Sequence, residues 1–220
     1  MRVLKYKNFE YILREPRNYK KNEKYPVVIY LHGAGGRGRN IDLIKNHSFL
    51  KETESYLEDA ISIMPQCFAD SWFDIFEQLQ NFVEYYIAKD EVDKSRVYLV
   101  GSSMGGYATW QLAISRPELF AAIIPICGGG MYWNAIRLKD MGVWAFHGKK
   151  DNIVYPDESK KMIEAINNYG GKAKLTIYDN CEHNAWLPTF KEKMVWLWLL
   201  SHSLNFEEAK KICEDVELFG

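Results

Sequence analysis

Six short runs made almost wholly of apolar residues punctuate this chain, at 27–31, 60–64, 97–100, 121–126, 143–146 and 175–178. Runs of four to six apolar residues, rich in Val, Ile and Leu, are too short for stable helices and read as strands buried on both faces. Between them the period changes. Ile75, Phe76, Leu79, Phe82, Val83, Tyr86 and Ile87 recur at helical spacing, and a second helix over 157–168 opens behind Pro156 and stops at Gly170-Gly171. A third is expected over 188–200, with Phe190, Met194 and Trp198 on one face. Two short strands flank Lys7-Asn8. Strands alternating with helices predict an α/β fold: a mostly parallel, doubly wound central sheet with helices on both faces, which binds ligands beyond the carboxyl ends of its strands.

At 220 residues, 47% hydrophobic and 15% aromatic, the chain suits one large domain, expected to span 1–220. The stretch 205–220 is read as a C-terminal amphipathic helical tail, with Phe206, Ala209, Ile212, Cys213 and Val216 on one side, packing on the core or forming a homo-oligomer contact. Its 28 basic and 29 acidic residues nearly cancel and form no block of like charge, which argues against a nucleic-acid partner. Cys67, Cys127, Cys181 and Cys213 lack metal-site spacing, so free thiols in a reducing, cytoplasmic setting are expected. The first residues have no continuous apolar stretch like that of a secretory signal, and no run approaches a membrane span.

Chemistry is suggested by Gly101-Ser102-Ser103-Met104-Gly105, directly after the run at 97–100 and directly before the helical stretch 107–114. A tight strand-to-helix turn leaves no room for side chains flanking its central residue, so glycines at 101 and 105 let the chain bend and expose the Ser103 hydroxyl. G-x-S-x-G alone arises by chance in roughly one chain in fifteen of this length. Its placement between a strand and a helix is what makes Ser103 the candidate nucleophile.

A serine hydroxyl needs a general base and a carboxylate to orient that base. His183 follows the last expected strand and so falls at the carboxyl edge; His32 and His147 end strands but precede the acid in the chain, and His47 and His202 lie in polar or helical surroundings. Asp151 follows the strand at 143–146 and the turn His147-Gly148-Lys149-Lys150. Asp179 and Glu182 compete as acids but lie awkwardly close to His183 in sequence. The order Ser103, Asp151, His183 is that of an α/β-hydrolase. Ester cleavage also needs preorganised N–H groups for the developing oxyanion, expected from Met104, after the nucleophile, and from Ala34 in the loop His32-Gly33-Ala34-Gly35-Gly36. The rate should fall as His183 protonates.

That loop also matches G-x-G-x-x-G through Gly33, Gly35 and Gly38, yet no acidic residue ends a second strand about 20 residues later, as a dinucleotide site would require. No cofactor and no metal are expected.

With Leu31-His32-Gly33-Ala34-Gly35-Gly36-Arg37-Gly38, the turn at 101–105, His147-Gly148 with Asp151, and His183 in this order, the chain resembles the compact α/β-hydrolases over residues 9–200. Within that superfamily it looks most like phospholipase/carboxylesterase and dienelactone-hydrolase-like esterases, with kinship to polyhydroxybutyrate-depolymerase-like and feruloyl esterases and to prolyl-oligopeptidase catalytic domains. The resemblance implies an acyl-enzyme on Ser103 and transfer to water, hence a serine carboxylesterase of small or exposed esters. A prolyl-oligopeptidase-type serine peptidase and a non-catalytic binding module on the same fold are the alternatives. Many relatives insert a cap after the strand at 121–126; only 127–142 lies here, which predicts an open site without a large cap domain. Trp72, Trp133 and Trp186 are expected near strand ends, as an aromatic substrate wall or as core, and Arg37 and Arg39 beside the loop could meet an anionic substrate or simply solvent.

Overall fold

The computed structural model describes residues 1–205; the helical tail expected over 205–220 lies, beyond its first residue, outside them. In chain order the strands are β1 (Arg2–Tyr6), β2 (Phe9–Arg14), β3 (Tyr25–Leu31), β4 (Ile61–Pro65), β5 (Val92–Ser102), β6 (Ala122–Ile126), β7 (Gly142–Gly148) and β8 (Lys174–Tyr178). The helices are α1 (Asp42–Lys45), α2 (Ser48–Glu52), α3 (Phe76–Ile87), α4 (Met104–Ser115), α5 (Asp157–Asn168), α6 (Trp186–Lys191) and α7 (Lys193–Leu200). One eight-stranded sheet runs β1-β2-β4-β3-β5-β6-β7-β8, antiparallel at β1/β2 and β2/β4 and parallel from β4 onward.

The apolar runs serve two cores at once because successive side chains leave a strand on opposite faces. Val27, Ile29, Leu31, Val97, Leu99 and Ile123 pack beneath α3, α4 and α5, against Phe82, Trp110 and Met162. Val28, Tyr30, Tyr98, Val100, Ile124 and Ile126 face Phe49 of α2, Phe190 of α6 and Trp196 of α7. Helix α4 is buried nearly all round, in keeping with its apolar sequence.

Two elements depart from the pattern read in the sequence. Strand β5 begins at Val92, five residues early, because the polar stretch 93–96 extends it through a register shift between Tyr25 and Val27 on β3. The helix expected over 188–200 is two helices, broken at Glu192 with ψ 101°. The break resets the phase: Phe190 stays buried, but Val195, Trp196 and Leu199 turn inward while Met194 stands 59% exposed. Trp198 instead lies edge-on to Trp144, ring centres 5.3 Å apart.

Parallel register brings the carboxyl ends of the central strands to one edge. Leu31 pairs with Gly101, Ser102 with Ile126 and Gly148 with Tyr178, so the loops that follow β3, β5, β6, β7 and β8 share that edge. Among the described residues no helix is long and apolar enough to cross a membrane.

Candidate active site

Ser103 occupies the turn between β5 and α4 with φ 55° and ψ −119°, a conformation that L-residues rarely adopt. The packing requires it. A Cβ on Gly105 would fall on the backbone carbonyl of Leu31, and one on Gly101 on the carbonyl of Gly105, so α4 meets the sheet as closely as main chains can approach. The Ser103 N–H donates to the Ile126 carbonyl at 2.8 Å, fixing the turn to β6.

Around this turn the structure gathers the three residues singled out for catalysis. Ser103 Oγ lies 2.7 Å from His183 Nε2, and His183 Nδ1 lies 2.7 Å from Asp151 Oδ2. Asp151 Oδ1 accepts the N–H groups of Ile153 at 3.0 Å and Val154 at 2.9 Å, leaving its carboxylate fully buried while the His183 side chain keeps 14% exposure. Burial by itself would raise the Asp151 carboxyl, but the His183 hydrogen bond and the two amide donors outweigh it and hold the group below its usual range. Asp179 and Glu182, the competing acids, make no such contact: Asp179 pairs at the surface with Lys149. Gly148 permits this arrangement, because a Cβ there would meet the carbonyls of Glu182 and Cys181 in the loop that carries His183.

The loop after β3 lies alongside: a Cβ on Gly33 would sit 3.4 Å from that of Ser103. Its carbonyls are tied back one after another. Trp72 Nε1 donates to the His32 carbonyl at 3.0 Å, His32 Nδ1 to that of Gly33 at 2.6 Å, Arg37 Nε to that of Ala34 at 2.9 Å, and Gln66 Nε2 to that of Gly36 at 2.9 Å. The Cys67 N–H donates to His32 Nε2 at 3.0 Å, which fixes the tautomer of a ring that burial keeps neutral by lowering its pKa to about 4. Among the described residues the N–H groups of Ala34 and Met104, each the first of its helical turn, have no protein acceptor.

One grouping has the donor types of a metal site: Cys127, His147 and Asp151 bring ligand atoms within 4.8 Å of one another, all buried. Both Asp151 oxygens are already engaged by His183 and the two amides, and burial pushes the Cys127 thiol up to about 12, far from the thiolate a metal would need. Hydrogen bonds within the protein account for this cluster.

A profile of the dienelactone hydrolase family matches residues 13–189, most of the chain. The chain belongs to that family. Among curated relatives, acetylxylan esterase A of Emericella nidulans is 24% identical over 147 residues, 64% of this chain and 48% of its own. A protein named probable feruloyl esterase C from Aspergillus niger is 29% identical over 188 residues, covering 82% of this chain and 69% of that protein. The crystal structure of a thermostable esterase superposes with a TM-score of 0.75 at 29% identity, over 89% of this chain and 60% of that one. This dienelactone hydrolase family member thus spans about half of the first relative and under two thirds of the solved esterase.

The three tryptophans part company. Trp72 is no wall of the site: it is fully buried behind the loop after β3, where its ring packs 5.1 Å from His32 and its N–H is used internally. Trp133 stands 61% exposed beside Tyr132 on a 3₁₀ segment after β6. Trp186 starts α6 and meets His183 edge-on, centroids 5.6 Å apart at 89°. Arg37 is bound to the Ala34 and Asp70 carbonyls and Arg39 lies 5.1 Å over the Phe68 ring, so both are held at the loop. Sequence reasoning passed over His32, Gln66 and His147 as site residues; the repeated His-Gly at the ends of β3 and β7 was the available signal.

Proposed function

We propose that this chain is a cofactor-independent serine carboxylesterase. The observation that carries the reading is the unbroken chain from Ser103 Oγ through His183 to a buried Asp151, 2.7 Å at each link, on a turn whose backbone presents the hydroxyl. His183 Nε2 takes the Ser103 proton as Oγ attacks the ester carbonyl, and Asp151 steadies the imidazolium that forms. The N–H groups of Ala34 and Met104 receive the oxyanion, each worth about 10² to 10³ in rate. His183 then returns its proton to the departing alkoxide, leaving an acyl group on Ser103, and the same steps with water as nucleophile release the acid.

The names of the relatives point to acetyl and hydroxycinnamoyl esters of exposed alcohols, and the open loop after β6 is in keeping with such substrates. The test is hydrolysis of nitrophenyl esters from acetate to octanoate, with methyl ferulate, by the wild-type chain and Ser103→Ala. Turnover by the wild type alone, with trapping of Ser103 by a phosphonate probe, is the expected result. Release from a proline-linked amide without ester turnover would replace this reading with a peptidase. No turnover and no labelling would leave a binding module.

A further inference from the structure

His147 ends β7 four residues before Asp151, and the catalytic scheme above gives it no task. Its ring is fully buried, yet both nitrogens are engaged. Nε2 lies 2.9 Å from the Val154 carbonyl and 3.3 Å from Asp151 Oδ2; both are acceptors, so Nε2 carries the proton. Val154 is one of the two residues whose N–H groups hold Asp151 Oδ1. With the proton on Nε2, Nδ1 accepts from the Ser159 hydroxyl on α5 at 2.8 Å, and Ser159 Oγ lies 3.0 Å from the Gly128 carbonyl. The ring therefore joins the turn that carries Asp151 to α5 and to the loop after β6, and it touches the same carboxylate oxygen that His183 uses.

We propose that His147 is a positioning residue: its Nε2–H clamps the Val154 carbonyl and Asp151 Oδ2, holding the carboxylate in line with His183, while Ser159 holds the ring. The proposal rests on the esterase reading of Ser103, His183 and Asp151. It also has a charge consequence. A donor on Oδ2 draws negative charge away from the His183 side of the carboxylate, so removing it favours imidazolium at His183 and moves the acid-side loss of activity to higher pH.

The groups packed around the pair leave that effect readable. Cys127 at the end of β6 and Tyr107 on α4 are both pushed up by burial and stay neutral across the range. Burial likewise lowers His147 itself, which favours its neutral ring. Glu158 of α5 lies against Gly129 and bears on Tyr107. His183, from the loop after β8, is the group left to report.

Two amides divide the ring's two halves. In His147→Gln the side-chain N–H₂ reaches the place of Nε2, while in His147→Asn it reaches only that of Nδ1, facing Ser159. Relative to wild type, His147→Asn is expected to lose about ten- to a hundredfold in kcat with KM little changed. Its acid limb should move up by about half a pH unit or more, and the downfield proton resonance of the His183 Nδ1–H should be lost or displaced. His147→Gln recovers most of kcat, the pH profile and the resonance. The proposal is overturned if the two variants behave alike, whether both resemble wild type or both are impaired without a change in pH profile. If the wild-type chain hydrolyses no ester, the esterase reading fails while the resonance comparison still decides whether His147 holds Asp151.

Discussion

The loop after β3 and the segment after β6 both leave the same edge of the sheet, and they are built in opposite ways. In the first, His32 and Gly36 are buried and each carbonyl from His32 to Ala34, and that of Gly36, accepts a side-chain donor, from Trp72, His32, Arg37 and Gln66 in turn. In the second, Tyr132 and Trp133 stand 50% and 61% exposed, and Ile153 and Tyr155 of the neighbouring loop after β7 are 70% and 66% exposed. One region has its dipoles fixed before any substrate arrives; the other keeps apolar surface in water. Preorganisation suits stabilisation of a charge that appears only in the transition state, whereas an uncommitted rim suits contact with the variable part of a substrate.

That contrast predicts a steep gradient of mutational effect. Ser103→Ala or Asp151→Asn should lower kcat/KM by about 10³ to 10⁴ or more, on the order of 4–5.5 kcal/mol, measured with nitrophenyl acetate against a folding control by circular dichroism. Gly105→Ala should cost more than about 3 kcal/mol of stability in urea denaturation, since the added methyl falls on the Leu31 carbonyl. A milder loss would show that α4 can retreat from the sheet.

Acid should weaken the buried side next. Burial lowers His32 and His47 to about 4, so the unfolded chain takes up their protons first and stability falls as pH drops from the ordinary histidine value toward 4. Each contributes up to about 1.4 kcal/mol per pH unit across that window. Urea midpoints at successive pH values check the slope, and the part of it lost in His32→Gln is the share of His32. Trp72→Phe, which removes the donor to the His32 carbonyl and part of a fully buried ring, should cost about 2 kcal/mol or more and several-fold in kcat. Smallest of all, Trp133→Ala should leave stability within about 0.5 kcal/mol and acetate turnover unchanged, while raising KM for ferulate a few-fold. Equal effects of the Trp72 and Trp133 changes on acetate turnover would erase the distinction between the two regions.

How much of this was legible in the sequence follows the same division. The buried strands declared themselves because both faces of each must be apolar, and the grouping of Ser103, Asp151 and His183 because loops that follow parallel strands leave one edge of the sheet. The clamps were harder to see. Gln66 and His32 act through main-chain carbonyls, and no residue pattern announces that an acceptor is waiting. Trp72 misled because a tryptophan near a strand end reads the same whether its ring faces solvent or core; what decides is the N–H partner 40 residues away. The break at Glu192 escaped notice because either phase of 188–200 offers an apolar stripe, and only packing on the sheet selects one.

The 3₁₀ stretch Tyr132–Leu138 is anchored by Ala135 and Leu138, buried in the core, and by Arg137 Nε on the Ile114 carbonyl, while none of the Ser103, His183 and Asp151 contacts passes through it. A segment so placed is a natural cartridge. A longer or differently shaped insert that keeps those anchors would reshape the exposed rim around Tyr132 and Trp133 without asking the Ser103, His183 and Asp151 contacts to be rebuilt.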